Sequence, residues 1–334
     1  MKAKKVFFLI ALTLSLSLML NVYASAKPFY EDKKIKIIIG FKPGGGTDFY
    51  GRMLAKAMMK YLPGSIIIVN NVPGASGVIA LNKIYMSKPD GLTFGAFNRG
   101  LPVAQLVGIK GIKYDMRKVS WLGAPASDIY GLYVSSKKYK GLDDLIKAEN
   151  TRYATTGLGT TGYFCAVLFY QMMGLNNYSI GTGYSGAELS MAIIRGEADA
   201  LFGSFATQQA LIKSGELTPI FFIANSKPPG YEHVPYLQDI VTEEKYRPVI
   251  DFLTGLFIVG RPFVGPPGIP KDRLTILRKA FVQAINDPES VELTKKANKP
   301  LNFVSPETAE KWVDGIFNLP EDIVKIVKEA FGVK

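Results

Sequence analysis

The sequence predicts an α/β fold of two domains, and three features of the chain support this prediction. Its 334 residues are about twice the usual length of one domain. Hydrophobic residues make up 48% and charged residues 20% of the chain, which is typical of a folded globular protein. Short apolar runs alternate with segments whose apolar residues recur at helical spacing. This alternation favours parallel strands joined by crossover helices.

The individual strands and helices are predicted from short apolar runs and from apolar residues at helical spacing, respectively. The predicted strands are short runs rich in β-branched and aromatic residues: Ile35–Phe41, Ile66–Val69, Leu92–Ala96, Ile129–Val134, Arg152–Thr156, Ala198–Phe202, Pro219–Ile223 and Phe257–Val259. The predicted helices have one apolar face: Asp48–Tyr61, Val78–Met86, Leu142–Ala148, Tyr163–Met173, Ala187–Arg195, a helix closing at Leu211–Gly215, Lys271–Asn286, Pro306–Phe317 and Glu321–Phe331. Residues 226–253 are rich in Pro, Tyr and charge and are predicted to be irregular.

Residues 1–26 have the pattern of a secretory signal peptide. Three lysines precede the charge-free run Val6–Val22, and the small residues Ala24-Ser25-Ala26 form a cleavage site. The alternative is an uncleaved membrane anchor, because the run is near the minimum length of a spanning helix. The sequence therefore predicts export to the periplasm, and the lack of a Cys after the run argues against a lipid anchor.

The chain is basic, with a formal net charge of +12, or +9 without the three lysines of residues 1–26. Such a charge suits an anionic ligand, an anionic surface or nucleic acid. The Lys and Arg residues are spread along the chain, which favours a solvated basic surface and argues against nucleic acid. Cys165 is the only cysteine, so no internal disulfide can form, and its apolar surroundings indicate a buried side chain.

Two glycine-rich turns join a predicted strand to a predicted helix. The first covers residues 41–48 (FKPGGGTD) and the second residues 155–162 (TTGLGTTG). Glycines let a ligand approach the backbone closely, and the free N–H groups of a helix start attract anions. Asp48 can equally be a helix cap, and either turn can be a plain tight turn. If the two turns face each other, two helix starts point into one cleft.

The second turn formally contains G-x-G-x-x-G, a pattern also found in dinucleotide-binding sites. Such a site needs an acidic residue at the end of the next strand, and Ile180–Gly183 contains none. The first turn lacks the Lys of a phosphate-binding P-loop. The hydroxyls of the second turn suit hydrogen bonds to a carboxylate, so no cofactor is expected.

Several motifs together resemble the receptors of tripartite tricarboxylate transporters, also called Bug or TctC-like proteins. The resemblance covers nearly the whole chain after residue 26. Its motifs, in order, are Pro43–Asp48, Asn70–Gly77 (NNVPGASG), Pro89–Thr93 (PDGLT), Tyr114-Asp115, Thr156–Gly162, Tyr184–Ala187, Arg195–Ala200 and Gly265–Pro270. Their order and spacing are more specific than any one of them.

This resemblance implies a type II periplasmic-binding-protein fold: an α/β protein of two lobes, each a mixed, mostly parallel sheet flanked by helices. Lobe 1 would be residues 27–127 plus 255–334, lobe 2 residues 128–254, and the cleft would hold a mono-, di- or tricarboxylate. The family also implies a monomer that delivers its ligand to large and small membrane subunits. The candidate ligand-binding residues are Phe41, Pro43, Gly45, Gly46, Thr47, Asp48, Asn98, Arg99, Thr156, Gly157, Gly159, Thr160, Thr161, Tyr184 and Ser204.

The chain departs from the family pattern at three places. Ser185 replaces the usual Lys, Thr182-Gly183 replaces Val-Pro, and Asn98-Arg99 follows the third strand, where small polar residues are expected. Arg99 could pair with a second carboxylate of the ligand, or it could be an exposed surface residue.

The residue inventory argues against catalysis. His233 is the only histidine, so neither a zinc cluster nor a triad has motif support. The sequence predicts no metal and no enzyme. A binding protein that signals to a membrane receptor kinase is the alternative to a transport receptor, and the residues do not separate the two.

Overall fold

The computed structural model describes residues 27–158, 160–186, 188–224, 226–299 and 301–331, which form two five-stranded sheets flanked by helices. The predicted signal peptide, residues 1–26, lies outside the described residues. Within the described ranges, every helix is too short or too polar to cross a bilayer.

The elements alternate along the chain much as the periodicity predicts. The strands are β1 (Lys34–Ile39), β2 (Ile66–Asn71), β3 (Thr93–Ala96), β4 (Ser120–Gly123), β5 (Tyr130–Ser135), β6 (Thr151–Ala154), β7 (Tyr178–Gly181), β8 (Ala200–Ser204), β9 (Leu217–Ile223) and β10 (Phe263–Gly265). The helices are α1 (Gly46–Tyr61), α2 (Val78–Tyr85), α3 (Leu101–Leu106), α4 (Leu142–Lys147), α5 (Thr161–Met172), α6 (Glu188–Ile194), α7 (Phe205–Lys213), α8 (Leu237–Ile240), α9 (Arg247–Leu256), α10 (Lys271–Ile285), α11 (Pro288–Lys296), α12 (Pro306–Phe317) and α13 (Glu321–Ala330).

The first sheet has the strand order β2-β1-β3-β10-β4. β1 pairs in parallel with β2 and β3, whereas β10 runs antiparallel to both of its neighbours. Helix α1 covers this sheet with apolar side chains at helical spacing, including Met53, Leu54, Ala57 and Met58, all of which are buried. This packing holds the amino end of α1 at the carboxyl end of β1.

The second sheet has the order β7-β6-β8-β5-β9. β6 is parallel to β7 and β8, and β5 is antiparallel to both β8 and β9. Helix α5 is buried on most of its surface, because β8 lies on one side of it and α13 on another. The ring of Phe331, just after α13, stacks 6.0 Å from the ring of Phe164 in α5. The tail that the sequence assigns to lobe 1 therefore also contacts α5, the helix that packs on the second sheet.

The chain passes from the first sheet to the second between β4 and β5, and it returns between β9 and β10. The two crossovers are packed on each other. The Asp128 backbone N–H donates to the carbonyl of Phe257 at 3.0 Å. Gly260 leaves no room for a side chain, because a Cβ there would overlap the carbonyl of Ala126. Residues next to these crossovers are thus fixed between the two sheets.

Two predicted elements are wrong, both in the second half of the chain, and helix α11 was not predicted. Residues 226–253 are not irregular throughout, since they contain α8 and most of α9, whose Pro248 sits in the first turn, where proline is tolerated. Phe257–Val259 is a turn after α9, and the strand is β10 instead. Asp287-Pro288 ends α10 but also starts α11, because the Asp287 carboxylate caps the N–H of Glu289.

Candidate ligand-binding site

The first glycine-rich turn lies at the carboxyl end of β1 and leads into α1. Gly44 has a φ of 90°, a conformation that favours glycine, and Gly45 is the N-cap of α1. Among the described residues, no side chain caps this helix. The N–H groups of the first turn of α1, a helix of 16 residues, therefore have no side-chain acceptor. They are free to donate to a bound anion.

The Asp48 side chain stabilises the first glycine-rich turn by hydrogen bonds. Its carboxylate accepts hydrogen bonds from the Gly44 N–H at 3.0 Å, Arg52 Nε at 2.9 Å and Asn71 Nδ2 at 2.8 Å. The side chain is 5% exposed and does not line the cavity described below. Burial by itself raises the pKa of this carboxyl, but the hydrogen bonds from Arg52, Gly44 and Asn71 outweigh burial and hold the pKa below its usual range. Asp48 therefore stabilises the turn, and its predicted ligand contact stays a prediction.

The low pKa of Asp48 gives a testable pH dependence. The carboxylate stabilises the fold at pH values above its unfolded pKa of about 3.9, and this contribution is lost as the pH falls through the lower folded pKa. We expect Asp48→Asn to lower the free energy of unfolding at neutral pH by about 1–3 kcal/mol. Urea denaturation should show the gap to the wild type shrinking below about pH 3. A gap of the same size at both pH values would contradict the assignment.

The second glycine-rich turn lies at the carboxyl end of β6 and leads into α5. Thr160 is the N-cap of α5 and its own side chain does not cap the helix, but Asn98 Oδ1 accepts from the Thr161 N–H at 3.4 Å. The Thr160 hydroxyl donates to the carbonyl of Gly157 at 2.7 Å, and Thr160 is 1% exposed. This hydroxyl is therefore used within the turn, and its ligand contact stays a prediction. Thr161 instead faces the other sheet, since its hydroxyl donates to Asn98 Oδ1 at 2.9 Å.

The two turns face each other across the space between the sheets. Gly157 approaches Ser76, in the turn between β2 and α2, so closely that a Cβ at position 157 would overlap the Ser76 hydroxyl. Asn98, which follows β3, accepts from Thr161 and also from the N–H of Gly100 at 2.8 Å. An amide oxygen thus occupies a position at the start of α5 that a ligand oxygen could share.

A cavity of about 140 Å³ lies between the two helix starts. Both sheets and one crossover contribute to its wall: Phe41, Gly45, Gly46, Thr47, Phe97, Asn98, Arg99, Tyr130, Thr155, Thr156, Thr161, Gly162, Gly186, Leu189, Phe202, Gly203, Ser204, Thr207, Gln208, Gly260 and Arg261. Each helix start carries roughly half a positive charge. The cavity is therefore small and electropositive, and its wall combines amides and hydroxyls with apolar side chains such as Phe41, Leu189 and Phe202.

Arg99 is buried, which corrects the alternative of an exposed surface residue. Its side chain is 6% exposed, and Nη2 lies 2.5 Å from Asp128 Oδ2. The guanidinium also lies 5.4 Å from the ring centre of Tyr130 and 5.0 Å from that of Phe257. Arg99 lines the cavity, but its guanidinium already contacts Asp128, Tyr130 and Phe257.

Comparison with known proteins identifies the family. The model of the tripartite tricarboxylate transporter family receptor matches residues 50–314. This chain belongs to that receptor family. Because the family consists of receptors, the chain is a solute-binding protein and not an enzyme, as the sequence predicts. The resemblance stated above is therefore confirmed.

Relatives and solved structures agree with this family. A UPF0065 protein of Bordetella pertussis is 24% identical over 298 residues, covering 86% of this chain and 87% of the relative. BugT of the same organism is 27% identical over 225 residues, covering 63% of this chain and 67% of BugT. The structure of the periplasmic binding protein BugD matches with a TM-score of 0.75 and 20% identity, covering 91% of this chain and 99% of BugD. MatC from Rhodopseudomonas palustris, solved with bound malate, matches with a TM-score of 0.72 and 18% identity, covering 87% and 99%. These structures confirm the predicted periplasmic-binding-protein fold.

The receptor brings most of the predicted site residues together. Nine of them line the cavity: Phe41, Gly45, Gly46, Thr47, Asn98, Arg99, Thr156, Thr161 and Ser204. Pro43 is exposed outside the cavity, and Tyr184 is half-buried with its ring beside Gly181, so neither lines it. Gly157 contacts Ser76, and Gly159 lies outside the described residues.

Two charged residues of the receptor's site were missed by the sequence analysis. Asp128 lies on the first crossover and accepts from Arg99 and from the Ser204 hydroxyl. Arg261 lies on the second crossover, with Nη1 at 3.3 Å from Asp128 Oδ2 and Nη2 at 3.4 Å from Ser204 Oγ. Asp128 directly precedes a predicted strand, and an acidic residue at that position is typical of an exposed loop. Nothing in the sequence therefore indicated that Asp128 belongs to the site. The only signal for Arg261 was its place in Gly260-Arg261-Pro262, next to a strand that was predicted at the wrong position.

Proposed function

We propose that this receptor binds a small carboxylate in the periplasm, between its two lobes, and delivers it to a tripartite-type membrane transporter. The observation that carries the proposal is that the starts of α1 and α5 border one electropositive cavity. Neither helix is capped by its own N-cap side chain, and at α5 the Asn98 oxygen, 3.4 Å from the Thr161 N–H, occupies the place proposed for a ligand oxygen. A carboxylate has two oxygens with which to accept hydrogen bonds from both starts. The fold of MatC, solved with malate, and of an R. palustris protein solved with adipate supports this choice of ligand class.

The lobes of this proposal are those that the sequence predicts, residues 27–127 plus 255–334 and residues 128–254, with residues 1–26 removed on export. The cavity borders elements of both parts, so ligand binding would hold the lobes together. A ligand that binds only the folded protein raises its free energy of unfolding by about 2.7 kcal/mol at a hundredfold excess over the dissociation constant. A thermal-shift screen of mono-, di- and tricarboxylates tests the binding. If no carboxylate raises the melting temperature, the proposal is wrong.

Delivery needs a separate test. The gene should be deleted in its host and uptake of the identified carboxylate measured in the deletion strain, with the full-length gene restored as the control. Loss of uptake that the wild-type gene restores supports a transport receptor. Unchanged uptake together with loss of a transcriptional response to the same carboxylate supports the signalling alternative.

The two helix starts also predict which hydroxyls matter. Thr47 and Thr161 line the cavity, whereas the Thr160 hydroxyl is bonded to Gly157. The Thr161 hydroxyl donates to Asn98 in the ligand-free protein and would exchange that acceptor for a ligand oxygen. We expect Thr47→Ala and Thr161→Ala each to weaken carboxylate binding by about 1–3 kcal/mol, the range for a hydrogen bond to a charged group. Thr160→Val keeps the shape of the turn and should change affinity less than either. Calorimetry measures the affinity of the three variants for the tightest ligand of the screen. Equal losses of affinity in all three would contradict the prediction.

A further inference from the structure

Arg261 is held beside the start of α1 by the second crossover. Its side chain is 11% exposed, and its guanidinium lies 5.4 Å from the ring centre of Tyr50. A Cβ added at Gly46 would lie only 3.0 Å from Arg261 Nη2. The guanidinium therefore sits directly against the positive end of a helix. Two positive groups at this distance repel each other unless an anion lies near both.

The charges around Arg261 do not balance among the described residues. Arg99 and Arg261 are both buried, and Asp128 is the one carboxylate within 4.0 Å of either. Asp128 is already used, because Arg99 Nη2 lies at 2.5 Å and the Ser204 hydroxyl donates to its other oxygen. The contact of Arg261 with Asp128 is longer, at 3.3 Å. The cluster as a whole carries one net positive charge away from water.

Two hydrogen-bond donors of the cluster also have no acceptor. Arg99 Nη1 and Arg261 Nε are buried and make no hydrogen bond in the described part of the chain. Buried donors of charged groups are costly when unpaired, and such groups in native proteins have a partner in some state of the molecule. Both arginines line the cavity between the helix starts. An acid group on the ligand supplies the missing charge. Because neither nitrogen is exposed in the ligand-free protein, the guanidinium groups must shift as the ligand binds for its oxygens to accept from them.

A second cavity beside Arg261 is also lined by positively charged side chains. Arg261 borders this cavity of about 740 Å³, whose wall includes Tyr50, Phe205 and Lys299. Among the described residues of this wall, Asp128 is the only acidic one. Lys299 makes no ion pair with the described residues. Its pKa is lowered by burial and by the positive charge of Arg261. The site therefore offers room and positive charge for more than one carboxylate.

We propose that Arg261 pairs with a second acid group of the ligand, so that the receptor selects dicarboxylates over monocarboxylates. The inference rests on the proposed function. The first carboxylate is satisfied by the amides and hydroxyls of the two helix starts, which leaves the net charge of the Arg99–Asp128–Arg261 cluster for the second. A guanidinium suits this task because it donates two parallel hydrogen bonds to one carboxylate.

Calorimetry with matched pairs of acids tests the inference. Succinate is compared with butyrate, and adipate with hexanoate, on the wild type, Arg261→Gln, Arg261→Lys and Lys279→Gln. We expect the wild type to bind at least one diacid about tenfold or more tighter than its partner, and Arg261→Gln to lose about tenfold of that preference. Arg261→Lys keeps the charge and should keep part of the preference. Lys279→Gln removes a charge from an exposed position of α10 and should change nothing.

The outcomes separate this inference from the proposed function. If the wild type binds both members of each pair equally, or if Arg261→Gln keeps the preference, Arg261 does not select the ligand, although the carboxylate receptor stands. If no carboxylate binds the wild type, the proposed function itself fails. The preference of the wild type needs no variant, so the inference remains testable even if Arg261→Gln does not fold.

Discussion

Replacing Gly45 by aspartate is expected to abolish carboxylate binding and, at the same time, to stabilise the ligand-free protein. Gly45 is the N-cap of α1 with a φ of −79° and a ψ of 170°, angles that any residue adopts. A Cβ at this position meets no atom within 4 Å. The new carboxylate can therefore cap the helix that no side chain caps now, and it would do so in the place proposed for the ligand.

The two effects have opposite signs because they share one cause. Capping α1 and restricting the unfolded chain should raise the free energy of unfolding by about 1 kcal/mol. The ligand would lose the first-turn amides and meet a like charge at short range, so affinity should fall about a hundredfold or more. Chemical denaturation and calorimetry measure the two effects separately. A variant that is destabilised and loses binding would show simple disruption of the turn and would contradict the explanation.

Two further substitutions at Gly45 distinguish the effect of occupying the helix start from the effect of adding a negative charge there. Gly45→Asn can accept the same hydrogen bonds without the charge and should weaken binding less than aspartate does. Gly45→Ala adds only a methyl group in open space and should keep affinity within about threefold of the wild type. The expected order of affinity is therefore wild type and alanine, then asparagine, then aspartate. An aspartate variant that binds as well as the asparagine variant would show that charge at this position is unimportant.

The fold was largely predictable because its signal is local and repeated. The helical spacing of Met53, Leu54 and Met58 and the apolar run of β1 each follow from contacts with one neighbouring layer. The prediction failed where the pattern is weaker. In α9, charged and proline residues precede a strongly apolar face that includes Val249 and Leu253, and the short strand β10 has only three residues.

The candidate site was predictable in its backbone and less so in its charges. Glycines and hydroxyls next to a strand end indicate a helix start, which is why Gly45, Gly46 and Thr161 were found. The partner of a charged side chain depends on tertiary distances. Asp48 is bound by Asn71 and Arg52, and Asp128 is brought between Arg99 and Arg261 by two crossovers that are distant in sequence. Asp48 and Arg52 have the i,i+4 spacing of a helical ion pair, but no spacing rule links Asp48 to Asn71 or Asp128 to the two arginines.

Removing the carboxylate of Asp128 is expected to cause the largest loss of stability in the site. The side chains of Asp128, Arg99 and Arg261 are 5%, 6% and 11% exposed, so the two guanidinium groups would face each other with little water between them. Breaking a buried ion pair by removing one partner costs about 3–5 kcal/mol, mainly because the remaining charge is left uncompensated. We expect Asp128→Ala to lower the free energy of unfolding by that amount in urea denaturation. Glu292→Ala, which breaks an exposed pair with Lys296 on α11, should cost about 0.5 kcal/mol or less.

A double substitution distinguishes this electrostatic cause from the loss of packing. If the cost arises from the uncompensated charge of Arg99, then Arg99→Met should be less destabilising in the Asp128→Ala background than in the wild type, or even stabilising there. The Met side chain fills a similar space between Tyr130 and Phe257, which now flank the guanidinium. If the cost arises from a cavity left by Asp128, the two substitutions should add or be worse together. If the two losses add or exceed their sum, packing holds the Arg99–Asp128–Arg261 cluster together. Its net positive charge would then not affect the stability of the ligand-free protein.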